Sequence, residues 1–233
     1  MLNFVKMKKS ILLILITLLT IELNAQSLIP TKYGIKAGLN IANIISTPID
    51  GVKNITTSSK IGITGGFYME IALNDKWYIN PELLYSQEGA SFNYDYTHDY
   101  NINSRDEYTT TNDLSLSYVK LNPTVSYKAS DKLSLNLGPS VAFLMSKKYL
   151  YTQNPTNQHT LSDGEFNEES LDIGLNFGFS YYINENLLID SKFCAGLINI
   201  GEISRPTDLK EDPSTPAYTL KNRATVLSLA YLF

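Results

Sequence analysis

One cysteine, Cys194, is all that the 233-residue chain contains, so no disulfide can form within it. No stretch beyond the N-terminal region approaches the roughly 20 apolar residues that a membrane-crossing helix needs. No segment carries the repeat of an amphipathic helix either. Basic patches are missing too: 19 Lys and Arg stand against 23 Asp and Glu, a balance that argues against nucleic acid as a partner. These absences exclude a disulfide scaffold, a helical membrane protein and a nucleic-acid binder.

What is present starts with export. "MKKSILLILITLLTIELNAQ" sets Lys8 and Lys9 before an apolar run from Ile11 to Ile21, with small Ala25 before Gln26. This is the order of a cleaved signal peptide, residues 1–25, followed by a single mature domain, residues 26–233. Met7 is a second candidate start. No cysteine follows the cleavage site to take a lipid anchor. Removing residues 1–25 takes away Lys6, Lys8, Lys9 and Glu22, which leaves 16 basic against 22 acidic side chains and a net charge of −6.

From Tyr33 onward the period is two. Eight segments alternate an apolar-rich face with a polar one, as in the first, where Tyr33, Ile35, Ala37, Leu39 and Ile41 alternate with Gly34, Lys36, Gly38 and Asn40. Similar segments begin near Ile61, Trp77, Tyr118, Leu133, Leu171 and Leu187, and the eighth is "TVLSLAYLF". Three connections are tight, at Asn74–Asp75, Ser130–Asp131 and Asn184–Glu185. Four are long and polar, at residues 42–59, 88–114, 147–168 and 198–222. In an up-and-down meander the short turns share one rim and the long loops the other. Outer-membrane barrels have short periplasmic turns and long external loops. The expected fold is therefore all-β: an eight-stranded antiparallel up-and-down transmembrane β-barrel with both termini at the periplasmic rim.

A soluble lipocalin-like barrel is the competing reading, and charge decides between them. Within the strands the apolar-rich face holds no charged residue. The other face holds Lys36, Lys120 and Lys192 with Glu70, Glu82, Asp172 and Asp190. A lysine facing lipid near mid-bilayer costs about 2–4 kcal/mol, so the uncharged face is the lipid face. Gly34, Gly38, Gly62, Gly66, Gly138, Gly174, Gly178 and Gly196 share the polar face with Tyr68, Tyr78, Tyr118 and Tyr182. A narrow interior needs small residues beside large ones. Trp77, Tyr127, Tyr181, Tyr231 and Phe233 form an expected aromatic girdle near the short turns. Pro81, Pro123 and Pro139 fall inside strands, where bulges are expected. Lys36, Glu70, Glu82 and Lys120, on successive strands, are expected to form an alternating ring that plugs the lumen.

The stretches "YGIKAGLNIANI", "INPELLYSQEGA", "YVKLNPTVSYK", "LGPSVAFLMS", "GLINIG" and "LSLAYLF", in this order, resemble the PorT-like family of outer-membrane β-barrels. The fourth strand departs from the family pattern in having Lys120 and Pro123. The resemblance implies a barrel in the outer membrane; one branch of the family is linked to protein secretion, and no catalytic residue carries over. A final Phe233 with Tyr231 and Leu229 before it also resembles the signal read by the barrel-assembly machinery.

Candidate chemistry is sparse. His98 and His159 lie in long segments with Ser104 and Ser162 available, the parts of a barrel-type acyl hydrolase, but polar loops hold such residues anyway. Asp95, Thr97, Asp99 and Asn101 offer oxygens at alternate positions, yet the glycine and the bidentate acid of an EF-hand loop are missing. Tyr94, Tyr96, Tyr100 and Tyr108 offer a surface for a glycan or protein. No residue is assigned a catalytic, cofactor-binding or metal-binding role, and no cofactor is expected. The expected function is a non-enzymatic outer-membrane protein with a structural or interaction role; a lipid hydrolase and a small-solute pore are the alternatives. Its partners are outer-membrane lipid, the assembly machinery, and an extracellular or secretion-system protein.

Overall fold

The computed structural model describes residues 32–48, 55–101, 104–153, 157–159, 166–204 and 216–233. The expected signal peptide, residues 1–25, lies outside them. Among the described residues eight long strands make the wall: β1 (Lys32–Pro48), β2 (Ile55–Ala72), β3 (Trp77–Asn101), β4 (Ser104–Lys128), β5 (Leu133–Gln153), β8 (Leu171–Tyr182), β9 (Leu187–Gly196) and β11 (Pro216–Leu232). Three short strands, β6 (Asn157–His159), β7 (Phe166–Glu168) and β10 (Gly201–Ser204), extend it at one end. Each wall strand pairs antiparallel with the next, and β11 returns to β1 from Gly34↔Leu232 to Pro48↔Tyr218, so the sheet is closed.

The tight turns are built alike. Asn74 Oδ1 accepts the Lys76 and Trp77 amides at 3.0 Å. Ser130 Oγ does the same for Lys132 and Leu133, and Asn184 Oδ1 for Asn186 and Leu187. A short oxygen-bearing side chain thus satisfies amides that the ladder leaves over. The final strand is secured here: the Phe233 amide donates to the Tyr33 carbonyl at 2.8 Å, and the Phe233 ring lies 5.8 Å from that of Tyr33 and 5.3 Å from that of Tyr231. Trp77 and Tyr127 pack at 5.0 Å on the same rim.

Outward positions are apolar and exposed across one band of the wall: Ile35, Leu39, Ile63, Phe67, Leu83, Leu121, Leu137, Phe177 and Leu229 among them. Inward positions in that band are buried and polar. On β3 the apolar outward run extends from Trp77 to Tyr85 and on β4 from Val119 to Tyr127, about the 9–11 residues of a membrane crossing.

Three expectations change. The described residues of the segments at 42–59, 88–114, 147–168 and 198–222 are largely strand: β3 and β4, at 25 residues each, form one hairpin that outruns the membrane band. The prolines cause no bulge. Pro81 pairs with Pro123, and the β4–β5 register is the same on either side of Pro123, at Leu121↔Val141 and Val125↔Leu137. Pairing is skipped for a few residues there, which accommodates the missing N–H without an inserted residue. The register shifts lie elsewhere, at Ser59/Thr64, Ser117/Tyr118, Asp99/Asn101 and Ile203/Ser204. Finally, the inward glycines make room for neighbouring strands rather than for tyrosines. A Cβ on Gly34 would lie 2.0 Å from the Tyr231 carbonyl oxygen, and one on Gly66 would lie 2.1 Å from that of Leu83. Strong coiling of a narrow barrel brings backbone that close.

Candidate functional site: the barrel lumen

Among the described residues eight Lys, Asp and Glu side chains are buried inside the wall: Lys36, Lys120, Lys192, Glu70, Glu82, Glu88, Asp172 and Asp190. Their pairing differs from the expected ring. Lys36, on β1, donates to Glu82 on β3 at 2.5 Å and to Asp190 on β9 at 2.8 Å. Lys192 donates to Glu82 at 2.6 Å and lies 3.5 Å from Asp190. Two cations and two anions therefore share one cluster across the lumen. Side chains meet over the axis because an eight-stranded barrel is only about two side chains wide. Lys36 also sits 4.9 Å over the ring of Tyr68.

Glu70 does not join Lys36, its expected neighbour; it accepts from the Tyr182 hydroxyl. Lys120 pairs with Glu88 rather than Glu82. Glu88 was missed because it lies at the start of a segment expected to be loop. Its signal was parity: Glu82, Leu84, Ser86 and Glu88 continue one face. Asp172 accepts from Asn222 Nδ2 at 3.0 Å, and Asn222 donates also to the Tyr118 hydroxyl. Neutral residues fill the spaces. Asn136 bridges Ser180 and Asp190, and Asn122 donates to Glu82 at 3.2 Å. A cavity of about 20 Å3 remains beside Lys36, Asn122 and Asn176. The Asn122 Oδ1 and Asn176 Nδ2 atoms have no hydrogen-bond partner among the described residues, and the space suits one water.

Beyond Lys120 the interior changes character. Ile44, Ala90, Phe92, Leu114, Leu116, Tyr118, Tyr149, Ile200 and Leu220 form a buried apolar cluster, with the Tyr149 hydroxyl donating to Asn112 Oδ1 at 2.5 Å. On β1, β3, β4 and β11 these residues occupy the same inward parity as the ionic layer, whereas Tyr149 on β5 takes the opposite parity beyond the Ser117/Tyr118 register shift. The outward parity changes with them, to Gln87, Ser91, Asn93, Thr111, Asp113 and Ser115. On this outer surface Lys60 reaches Asp113 and, at 2.7 Å, Ser115. Lys147 donates to Glu168 at 2.6 Å, and that bond holds the Glu168 carboxyl below its usual range.

The candidate chemistry sits far out. His98 lies in β3 opposite Asp106, Ser104 begins β4, and His159 lies in β6 opposite Tyr151. Their side chains, those of Tyr94, Tyr96, Tyr100 and Tyr108, and all of Ser162 are outside the described set. Asp95, Thr97, Asp99 and Asn101 belong to a strand, where alternate positions are about 7 Å apart, not to a loop curled around an ion. Among the described residues no group of three His, Cys, Asp or Glu is placed to hold a metal.

A closed sheet with an apolar band outside and a charged, filled interior defines a transmembrane β-barrel. The chain belongs to the family described as outer membrane protein beta-barrel domain, whose profile matches residues 24–202, and so it is an outer-membrane protein. No curated protein sequence matches it. Among solved structures it is similar to Ail, the attachment invasion locus protein of Yersinia pestis, at 12% identity over 88% of this chain and 100% of that one, with a TM-score of 0.42. It is similar to Neisserial surface protein A at 12% identity, over 86% and 97%, with a TM-score of 0.44. For OprG of Pseudomonas aeruginosa the figures are 13%, 87% and 95%, with a TM-score of 0.42. Likenesses this distant say nothing of function.

Proposed function

We propose that the chain is a non-enzymatic outer-membrane protein with a structural or interaction role, exported through a cleaved signal peptide at residues 1–25 and belonging to the PorT-like branch. One observation carries the reading: the lumen is filled at successive levels, first by the Lys36–Glu82–Lys192–Asp190 cluster and then by the apolar layer around Phe92 and Leu114. A barrel so filled offers no path for solute and leaves the outer β3–β4 hairpin as the surface on which a partner acts. That partner is an extracellular or secretion-system protein, while outer-membrane lipid surrounds the band and the assembly machinery reads Leu229, Tyr231 and Phe233.

Cross-linking in intact cells followed by mass spectrometry tests the interaction role; recovery of lipid alone around the outer hairpin would overturn it. Bilayer recordings test the pore, with no unit conductance expected. A lipid-hydrolysis assay on the protein and on its His98→Ala and His159→Ala variants tests the enzyme, and activity lost in either variant would replace the proposal. The short turns are assigned to the periplasm. A membrane-impermeant amine reagent should then label Lys148 on whole cells and leave Lys76 and Lys132 untouched.

A further inference from the structure

At the short-turn end the barrel opens into a cavity of about 440 Å3, lined by Glu70 and Tyr182 from the wall and by Lys132 and Asn184 from the turns. Of the charged residues that line it, which include Asp131 and Glu185, Glu70 and Lys132 stand in no ion pair among the described residues. Glu70 is buried, 6% exposed, and the neutral Tyr182 hydroxyl is its side-chain partner. Lys32 faces Glu70 across the β1–β2 ladder but sends its ammonium to the Glu185 carbonyl at 2.6 Å. Lys128 lies 3.6 Å from Asp131. The Lys132 side chain, by contrast, meets no acceptor among the described residues. A buried carboxylate normally has a countercharge, and among the described residues this one meets only a hydroxyl and the cavity.

We propose that this cavity binds a small zwitterion, an amino acid or the end of a short peptide, with its ammonium group on Glu70 and its carboxylate on Lys132. The volume falls within the range of about 300–1,000 Å3 typical of small-molecule sites. The charges are ordered in depth, with the acid buried and the base on an exposed turn. A simple cation on Glu70 would leave Lys132 without a countercharge, and a simple anion on Lys132 would leave Glu70 without one. A ligand carrying both charges satisfies both. Ala72, Tyr78 and Ile183 also line the cavity, which favours an apolar side chain on the ligand. The turns that frame the mouth are fixed by their Ser130 and Asn184 caps, so little ordering is needed on binding. The site depends neither on which side of the membrane it faces nor on the role of the outer hairpin.

The test is an amide-resolved NMR titration of the full barrel in detergent at pH 7, with glycyl-leucine as probe and n-butylamine and butyrate as half-ligands. The dipeptide should give saturable shifts at residues 70–72, 130–134 and 182–185, and each half-ligand should bind roughly tenfold more weakly. Glu70→Gln, which keeps the shape of the side chain, should weaken dipeptide and amine binding roughly tenfold and leave butyrate unchanged. Lys132→Ala, on an exposed turn that tolerates change, should weaken the dipeptide and butyrate and spare the amine. Absence of saturable shifts, butylamine binding as tightly as the dipeptide, or a dipeptide affinity indifferent to both substitutions would overturn the proposal.

Discussion

The same strands enclose two interiors. In the membrane band, β3 and β4 turn Glu82, Lys120 and Asn122 inward and Leu83, Leu121 and Val125 outward. A few residues further on they turn Phe92, Leu114 and Leu116 inward and Ser91, Asn93 and Thr111 outward. An inside-out barrel is thus continued by one that is the right way round, with no break in the ladder between them. The wall is constant while the solvent outside it changes from lipid to water. In lipid the outer face must be apolar and the interior can be ionic because Lys36, Lys192, Glu82 and Asp190 neutralise one another. In water the hydrophobic effect acts again, so the apolar residues move inside.

Removing Glu82 should break the lower interior most severely. Glu82→Ala leaves Lys36 and Lys192 without their shared acceptor, a loss of about 3–5 kcal/mol, read as a lowered urea midpoint in detergent. Glu185→Ala, at an exposed turn, should stay within about 0.5 kcal/mol, and equal midpoints would remove the ion cluster as a source of stability. The boundary between the two solvents is probed next. Leu83→Lys, on the lipid face, should cost about 2–4 kcal/mol, whereas Asn93→Lys, ten positions along the same face, should be nearly neutral. Similar costs at both would mean that the band extends further than the outward residues indicate.

Leu114→Ala should cost about 2–3 kcal/mol by opening a cavity in the upper interior. Hydrogen exchange should quicken in the outer halves of β3 and β4 and not at Glu82 or Asn122; uniform quickening would make the two interiors one cooperative unit. The smallest effect concerns the outer surface. Because the Lys147 hydrogen bond lowers the Glu168 carboxyl, its contribution is present above the ordinary carboxylate value of 4.5 and is lost as pH falls below it. Lys147→Met should therefore bring the Glu168 titration, followed by NMR, back to the usual range.

Alternation made the faces legible in the sequence, from Lys36 on β1 to Tyr231 on β11, because a strand has only two sides. Three things were not legible. Partners across the lumen depend on distance through space, so Lys36 meets Glu82 and Asp190 rather than Glu70 on the adjacent strand. The upper interior was hidden because polarity inverts at Ala90 and Leu114 while parity does not, and an inverted pattern between two strands reads as a polar loop. The cavity at the short-turn end draws Glu70, Lys132 and Asn184 from different strands and turns, and no local motif brings these together.

Closure has a consequence for how the molecule is made. β1 pairs with β2 early in the chain, but its other neighbour is β11. Until β11 arrives, the first strand presents a row of unsatisfied amides and carbonyls that any sheet, including another copy of the protein, could take up. The seam joins the most distant strands, so its loop-closure entropy is the largest in the fold and its formation the slowest pairing step. The molecule's vulnerable state is therefore not a partly unfolded barrel but a nearly complete one, still one strand short.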